Sequence, residues 1–280
     1  MICTPQPRYI REMKEQLNLL GMQHCLLEEA ILKKHAGEVL DVYDMLYDQK
    51  SKDIYANILW CRLKGEYPDY DLITPNQYFC WTDFTNADTG HTFIDCGAYV
   101  GDSMEQYIWN KDGVVSKIIC FEPDPNNFRA MQHRAERLRN EWNLSDKNIR
   151  LLPYGVSDQS SEGVVQGYAA NNGLGSKIST ENTTGGTNIK IVAIDDIIDD
   201  TIDEHIGFLK ADIESYEYKM LLGAEKTIKK HNPCLAICIY HNAVDFYSVP
   251  LLVHQMMPYA KLAIRHHSNS LSETVLYAWT

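Results

Sequence analysis

No two cysteines in this chain are spaced as C-x-x-C. The eight cysteines stand singly at 3, 25, 61, 80, 96, 120, 234 and 238, without the ligand spacing of a structural zinc site. Cys96, Cys120, Cys234 and Cys238 fall inside apolar runs, where a thiol serves as a small hydrophobe. The set reads as the reduced thiols of a cytoplasmic protein. No apolar run approaches the roughly 20 residues that cross a bilayer. The N-terminus carries Pro5 and Pro7 and no apolar core, unlike a secretory signal, so no membrane insertion is expected. Positive charge is also scarce, with 26 Lys and Arg against 38 Asp and Glu, a net charge of −12. Basic residues come in short runs such as Lys229-Lys230 and form no stripe. That disfavours a nucleic-acid backbone as partner and leaves a small or neutral acceptor as the better expectation.

The 280 residues, 45% hydrophobic and 23% charged, suffice for one large α/β domain and a small extra one. The first stretch reads as helical. Ile10, Met13, Leu17 and Leu20 recur at helical spacing before Gly21, Leu26 to His35 is a second run, and Val39 to Tyr47 a third. Ile54, Ile58 and Leu63 mark a fourth, closed by Gly65. Pro68, Pro75 and the aromatics Tyr67, Tyr70, Tyr78, Phe79 and Trp81 make a connecting segment suited to packing. This predicts an N-terminal helical cap over residues 1–68 and a second domain over 69–280. The cap could cover an acceptor site or build a homodimer interface.

From Phe93 onward, apolar runs alternate with helical ones. The strand candidates are Thr92–Asp95, Lys117–Phe121, Ile149–Tyr154, Gly207–Ala211, Leu235–Tyr240, Ala260–Arg265 and Glu273–Trp279. Helical segments separate the first five, which predicts a mostly parallel, doubly wound sheet. Only Ser268 to Ser272 joins the last two, too short for a crossover helix, so they should pair as an antiparallel hairpin. The stretch Gly163–Asp196 is too long for a simple loop. Tyr168 and Ile189–Val192 suggest an inserted hairpin there, a common place for acceptor recognition.

The most informative segment is Phe93-Ile94-Asp95-Cys96-Gly97-Ala98-Tyr99-Val100-Gly101-Asp102, followed by Ile118-Ile119-Cys120-Phe121-Glu122-Pro123. An apolar strand runs into a glycine turn, a helix starts at Asp102 or Ser103, and a second strand ends on a carboxylate. This is the first βαβ unit of a nucleoside-binding sheet. Gly97 and Gly101 let the backbone pass close to a ligand, the helix N-terminus offers N–H groups, and Glu122 is placed to accept the hydroxyls of a ribose. The G-x-G-x-x-G fingerprint of dinucleotide sites is broken by Tyr99 at its middle position, and Asp95 would repel a pyrophosphate. Both features suit S-adenosylmethionine, whose aminoacyl end is cationic, better than a nicotinamide cofactor.

These residues resemble the FkbM family of S-adenosylmethionine-dependent methyltransferases. The resemblance runs from about Asp41 to the C-terminus. It is carried by Ile94 to Ser103, Phe121-Glu122-Pro123-Asp124, Gly155-Val156-Ser157-Asp158, Val192–Asp196, Lys210 to Glu217 with Leu222-Gly223-Ala224, and Ile264 to Ser268 with Glu273-Thr274. Ser215 stands where the family usually has Gly. The resemblance implies a class I methyltransferase (Rossmann-like) fold, α/β, with a seven-stranded mostly parallel sheet ending in the antiparallel hairpin. It also implies O-methylation of a sugar, sugar-nucleotide or glycan precursor. Two rival readings are a non-catalytic cofactor-binding scaffold and a nicotinamide-dependent oxidoreductase.

Ligands of open α/β sheets bind beyond the C-terminal strand ends. The expected cofactor residues are Asp95, Cys96, Gly97, Ala98, Gly101, Asp102 and Ser103 after the first strand and Glu122 and Pro123 after the second. Val156, Ser157 and Asp158 follow the third, where an adenine edge would lie, and Asp212 follows the fourth. His241, Asn242 and Asp245 follow the fifth, and His266 and His267 the sixth. A sugar hydroxyl is a weak acid, so a base is useful. His241 is the candidate base, Asp245 its orienting partner, and Asp212 a further catalytic candidate. The alternative is that Asp212, Glu214 and His241 hold a divalent cation, magnesium rather than zinc, that acidifies the hydroxyl.

Overall fold

The computed structural model describes residues 7–81, 91–166, 177–179, 186–198 and 205–280. Four helices come first: α1 (Pro7–Leu19), α2 (Leu27–Lys34), α3 (Ala36–Met45) and α4 (Gln49–Lys64). Then follow β1 (Thr92–Cys96), α5 (Asp102–Asn110), β2 (Lys117–Phe121), α6 (Pro125–Trp142), β3 (Ile149–Leu152), β4 (Tyr154–Val156), β5 (Ser161–Gln166), β6 (Lys177–Ser179) and β7 (Thr187–Val192). The chain continues through α7 (Ile194–Ile197), β8 (Ile206–Ala211), α8 (Glu217–Leu222), α9 (Glu225–His231), β9 (Cys234–Cys238), α10 (Asp245–Met256), β10 (Lys261–His266) and β11 (Thr274–Trp279).

One sheet has seven strands in the order β10-β11-β9-β8-β1-β2-β3. Strands β9, β8, β1, β2 and β3 run parallel, and the C-terminal strands are antiparallel. Parallel strands covered on both faces need apolar side chains on both faces. In accord with that, β1 and β8 are buried at every position. The expected run Ile149–Tyr154 is two strands. Pro153 has no N–H to continue a ladder, so β3 ends before it and β4 starts a second sheet.

That second sheet, of order β4-β7-β5-β6, takes the place of the expected inserted hairpin. It pairs β5 antiparallel with β6 and β7, and β4 parallel with β7, over a small core of Val165, Ile189 and Ile191. Tyr168 lies outside the described residues.

The chain forms two compact units, one of residues up to Cys80 with Cys238–Ala278, the other of Trp81–Ile237 with the last two residues. In the first unit, the helices and the C-terminal hairpin are knitted together by polar groups. Asp48 caps α4 by accepting from the Ser51 N–H at 2.7 Å and pairs with Arg265 at 2.6 Å. Ser51 Oγ accepts from the Ile264 N–H at 2.9 Å. Arg62, 2% exposed, pairs with Glu28 at 2.7 Å and donates to the carbonyls of Tyr240 and Leu271. In the second unit, Asp124 caps α6 by accepting from the N–H groups of Asn126 and Asn127, with Pro125 in the first turn. Among the described residues, no helix is long and apolar enough to cross a membrane.

Candidate functional site

The expected cofactor residues all belong to the second unit, where they cluster at the C-terminal ends of its parallel strands. After β1 the chain turns sharply, and left-handed backbone recurs at Gly97 (φ 76°), Tyr99 (φ 47°) and Gly101 (φ 83°) before α5 starts at Asp102. The N–H groups of Gly97 and Ala98 both donate to the Phe121 carbonyl at 3.0 Å, which ties the turn to the end of β2. A Cβ on Gly97 would lie 1.9 Å from the Asp212 carbonyl oxygen. Glycine is therefore required twice, by conformation and by the close approach of the turn after β8. At Gly101 an added Cβ would meet Met104 at 2.9 Å and Met131 at 3.2 Å.

Tyr99 holds a left-handed conformation that a bulky side chain rarely adopts. Its N–H donates to Glu122 Oε2 at 2.9 Å, while Glu122 Oε1 accepts from the Asp124 N–H at 2.9 Å. A carboxylate with one backbone donor on each oxygen offsets part of the turn's strain. The Asn127 side chain gives a third hydrogen bond to this carboxyl, which leaves about one lone-pair site for a ligand hydroxyl. Glu122 is 5% exposed. Burial pushes its carboxyl up to about 7, against the pull of the two backbone N–H groups.

Asp95 does not stand open to a ligand's ammonium group. Its side chain is fully buried, and Lys210 Nζ sits 3.0 Å from Oδ1. The cause is register, since Asp95 of β1 and Lys210 of β8 are direct partners in the parallel ladder. Burial raises the Asp95 carboxyl above its ordinary range, and the Lys210 ammonium opposes that. Cys96 has its thiol in the core, with its pKa pushed up by burial, so it serves the turn through its backbone. Its carbonyl accepts from the Asp212 N–H at 3.1 Å.

The remaining positions are placed as follows. Asp102 is exposed on the first turn of α5, and Ala98 and Ser103 are buried beside it. Pro123 lies between Glu122 and the α6 cap. Val156 is buried at the end of β4, and the Ser157 hydroxyl donates to Asp158 at 2.8 Å. Past Asp212 the turn is left-handed at Glu214 (φ 54°) and Ser215 (φ 83°), and Glu217 accepts from the Ile213 N–H at 2.8 Å. The family's usual Gly at the Ser215 position would take that backbone without strain.

The other candidates belong to the first unit. The His241 ring lies 4.1 Å from the Tyr240 ring, centroid to centroid. Asp245, 6% exposed, accepts from the Asn242 N–H at 2.9 Å and from its side-chain amide at 3.3 Å, closing the turn before α10. His266 and His267 are structural. His266 donates from Nε2 to the Ser270 carbonyl and accepts at Nδ1 from Thr274, both at 2.9 Å. His267 donates from Nδ1 to the Thr74 carbonyl at 2.6 Å and accepts at Nε2 from the Tyr277 hydroxyl at 2.8 Å. Burial lowers both to about 4, so both rings are neutral at pH 7.

Sequence reading missed Lys210 as a member of this site. The signal was a lysine inside the apolar run of β8, since a buried lysine requires a partner.

A methyltransferase FkbM domain model matches residues 95–263. Among solved structures, methyltransferase FkbM from Methylobacillus flagellatus KT superposes with a TM-score of 0.73 at 22% identity, covering 96% of this chain and 70% of that one. An rRNA methylase from Streptococcus thermophilus reaches 0.41 at 13% identity, over 73% of this chain and 96% of that one. An SAH-bound methyltransferase from Podospora anserina reaches 0.36 at 12%, over 83% and 88%. The last two overlaps are too loose to bear on function. No curated protein matches.

Proposed function

Since the chain belongs to the FkbM methyltransferase family, we propose that it transfers a methyl group from S-adenosylmethionine to a hydroxyl of a sugar, sugar-nucleotide or glycan precursor. The observation that carries the cofactor reading is Glu122, a buried acid at the end of β2. Its two oxygens hold the backbone of the glycine turn and leave a lone-pair site for a ribose hydroxyl. The turn fits the group in two further respects. The absent Cβ at Gly97 lets the turn lie close against Asp212, and the first turn of α5 leaves its N–H groups beside the turn. Ser157 and Asp158 suit the adenine edge.

When bound, S-adenosylmethionine supplies an activated methyl group, so the chain must align an acceptor oxygen and take its proton. His241 is the proposed base, because neutral imidazole is available near pH 7. Asp245, engaged by Asn242, holds the turn that carries His241. Asp212 is proposed at the cofactor through the turn it shares with Gly97. A divalent cation is the alternative way to acidify the hydroxyl. It predicts activity lost to a chelator and restored by magnesium.

The decisive experiment is a mass-spectrometric screen of sugar nucleotides and surface-glycan precursors with S-adenosylmethionine. The expected result is the gain of one methyl group by an acceptor of this class. Methylation only of acceptors without a hydroxyl would sink the O-methylation reading, and calorimetric binding of NAD alone would sink the cofactor reading. We also propose that residues 1–68 act as a helical cap on a 69–280 methyltransferase domain. A chain starting at Asp69 loses Asp48, Ser51 and Arg62, which hold the C-terminal hairpin. It should be poorly soluble, and full activity as a soluble monomer would remove the cap's role.

A further inference from the structure

We propose that Lys210 is a positioning residue for the methyl-donor site, its ammonium holding the Gly97 carbonyl and the Asp95 carboxylate so that the turn after β1 keeps one shape. This deepens, and rests on, the reading of that turn as the donor site. An ammonium has three donors, and Lys210 Nζ has three acceptors around it. It lies 2.8 Å from the Gly97 carbonyl, 3.0 Å from Asp95 Oδ1 and 3.5 Å from the Cys96 carbonyl. Lys210 is 2% exposed and Asp95 0%.

The arrangement solves a problem the glycine creates. Gly97 is needed because the Asp212 carbonyl leaves no room for a Cβ, yet a glycine accepts many backbone conformations. A cation beneath its carbonyl selects one of them. The adjoining Asp95 offsets the charge of that cation, so no lone positive charge lies beneath a cationic donor. The ladder pairs the two side chains directly, so neither needs a long reach. Fold stability alone does not call for such a pair, because apolar residues of similar size often replace a buried ion pair without loss. The pair's particular contribution is the carbonyl it orients.

The test compares Lys210→Met with Asp95→Leu/Lys210→Met in the full-length chain, reading thermal melting and calorimetric affinity for S-adenosylhomocysteine. Lys210→Met alone leaves a buried acid unpaired and should lower the melting temperature by about 5–15 °C. The double variant should recover most of that loss, yet bind S-adenosylhomocysteine about ten- to a hundredfold more weakly than the parent, because a misplaced site loses that order of effect. A purely structural pair predicts affinity restored along with melting, and that result would overturn the proposal. A double variant that fails to fold also overturns it, since the pair would then serve the fold as a whole. A parent chain that melts normally and binds no S-adenosylhomocysteine refutes the donor-site reading instead.

Discussion

Two of the places where the chain buries polar side chains treat them in opposite ways. In the C-terminal hairpin, His266 and His267 each use both ring nitrogens in neutral hydrogen bonds. At the ends of β1, β2 and β8, backbone is left-handed at Tyr99, Glu214 and Ser215, and Glu122 is a buried acid with a lone-pair site to spare. Saturated groups build a fold. Strained backbone around unsaturated acceptors is what a ligand can complete. The two regions thus belong to different physical categories.

The comparison breaks first on the histidines. His241→Ala should lower methyl transfer by about 10²–10⁴-fold, the scale of general acid–base catalysis, with cofactor affinity unchanged. Radiolabelled transfer alongside calorimetry checks it. A mutant of near-normal turnover that is also indifferent to chelation would move His241 into the structural class. His266→Ala should do the reverse. It strands the Thr274 hydroxyl and the Ser270 carbonyl and should cost about 2–4 kcal/mol of stability in urea unfolding, with turnover per folded molecule retained.

Glu122 comes next. Glu122→Gln should weaken binding of S-adenosylhomocysteine by about tenfold to a hundredfold, the worth of a charge-assisted hydrogen bond. Glu122→Ala should also lower stability, because the N–H groups of Tyr99 and Asp124 lose their acceptor. If the variants bind as tightly as the parent, Glu122 serves the turn alone.

Acid titration separates the two regions by sign. Burial lifts Glu122 to about 7 from an ordinary value of 4.5, so the native state binds the extra proton between those values. Its contribution is full below pH 4.5 and is lost as pH rises through 7, a change of up to about 3 kcal/mol. His266 and His267 fall to about 4 from 6.5, so there the unfolded state binds more protons. Their contribution is present above pH 6.5 and is lost as pH falls toward 4, on the order of 3 kcal/mol for each. Unfolding followed from pH 4 to 8 should steepen on the acid side for Glu122→Gln and flatten for His267→Gln. Unchanged slopes in both would mean that neither group is buried as described.

The smallest effect concerns strain. Ser215 is exposed and left-handed at φ 83°. Ser215→Gly should therefore stabilise the chain by about 0.5–1 kcal/mol, the relief of a left-handed residue less the entropy of a glycine. Guanidinium unfolding measures it, and a loss of stability would show that the serine side chain has a compensating role.

Much of the fold was legible from local pattern. Apolar runs separated by helical ones announce a parallel sheet, and the short link from Ser268 to Ser272 announces its antiparallel end. Pro153 was visible too, but its consequence depends on where the chain can pair next. A second sheet formed of β4, β5, β6 and β7 cannot be seen from one segment alone. The glycine turn and Glu122 were legible because conformation and charge at strand ends are local properties.

What the sequence determined by itself is therefore the set of elements, the family motif and the residues that stand at the strand ends, since each follows from backbone propensity and side-chain chemistry over a few positions. The tertiary structure alone decided how those residues are used. Asp95 lies opposite Lys210 through the register of β1 and β8, which turns an expected ligand contact into a buried pair. His266 and His267 are neutral because burial disfavours their charged forms, against the pull of the Ser270 and Thr74 carbonyls that accept from them. Ladder register and burial arise from contacts between residues distant in the chain, and burial and partners set whether a polar group is saturated or available.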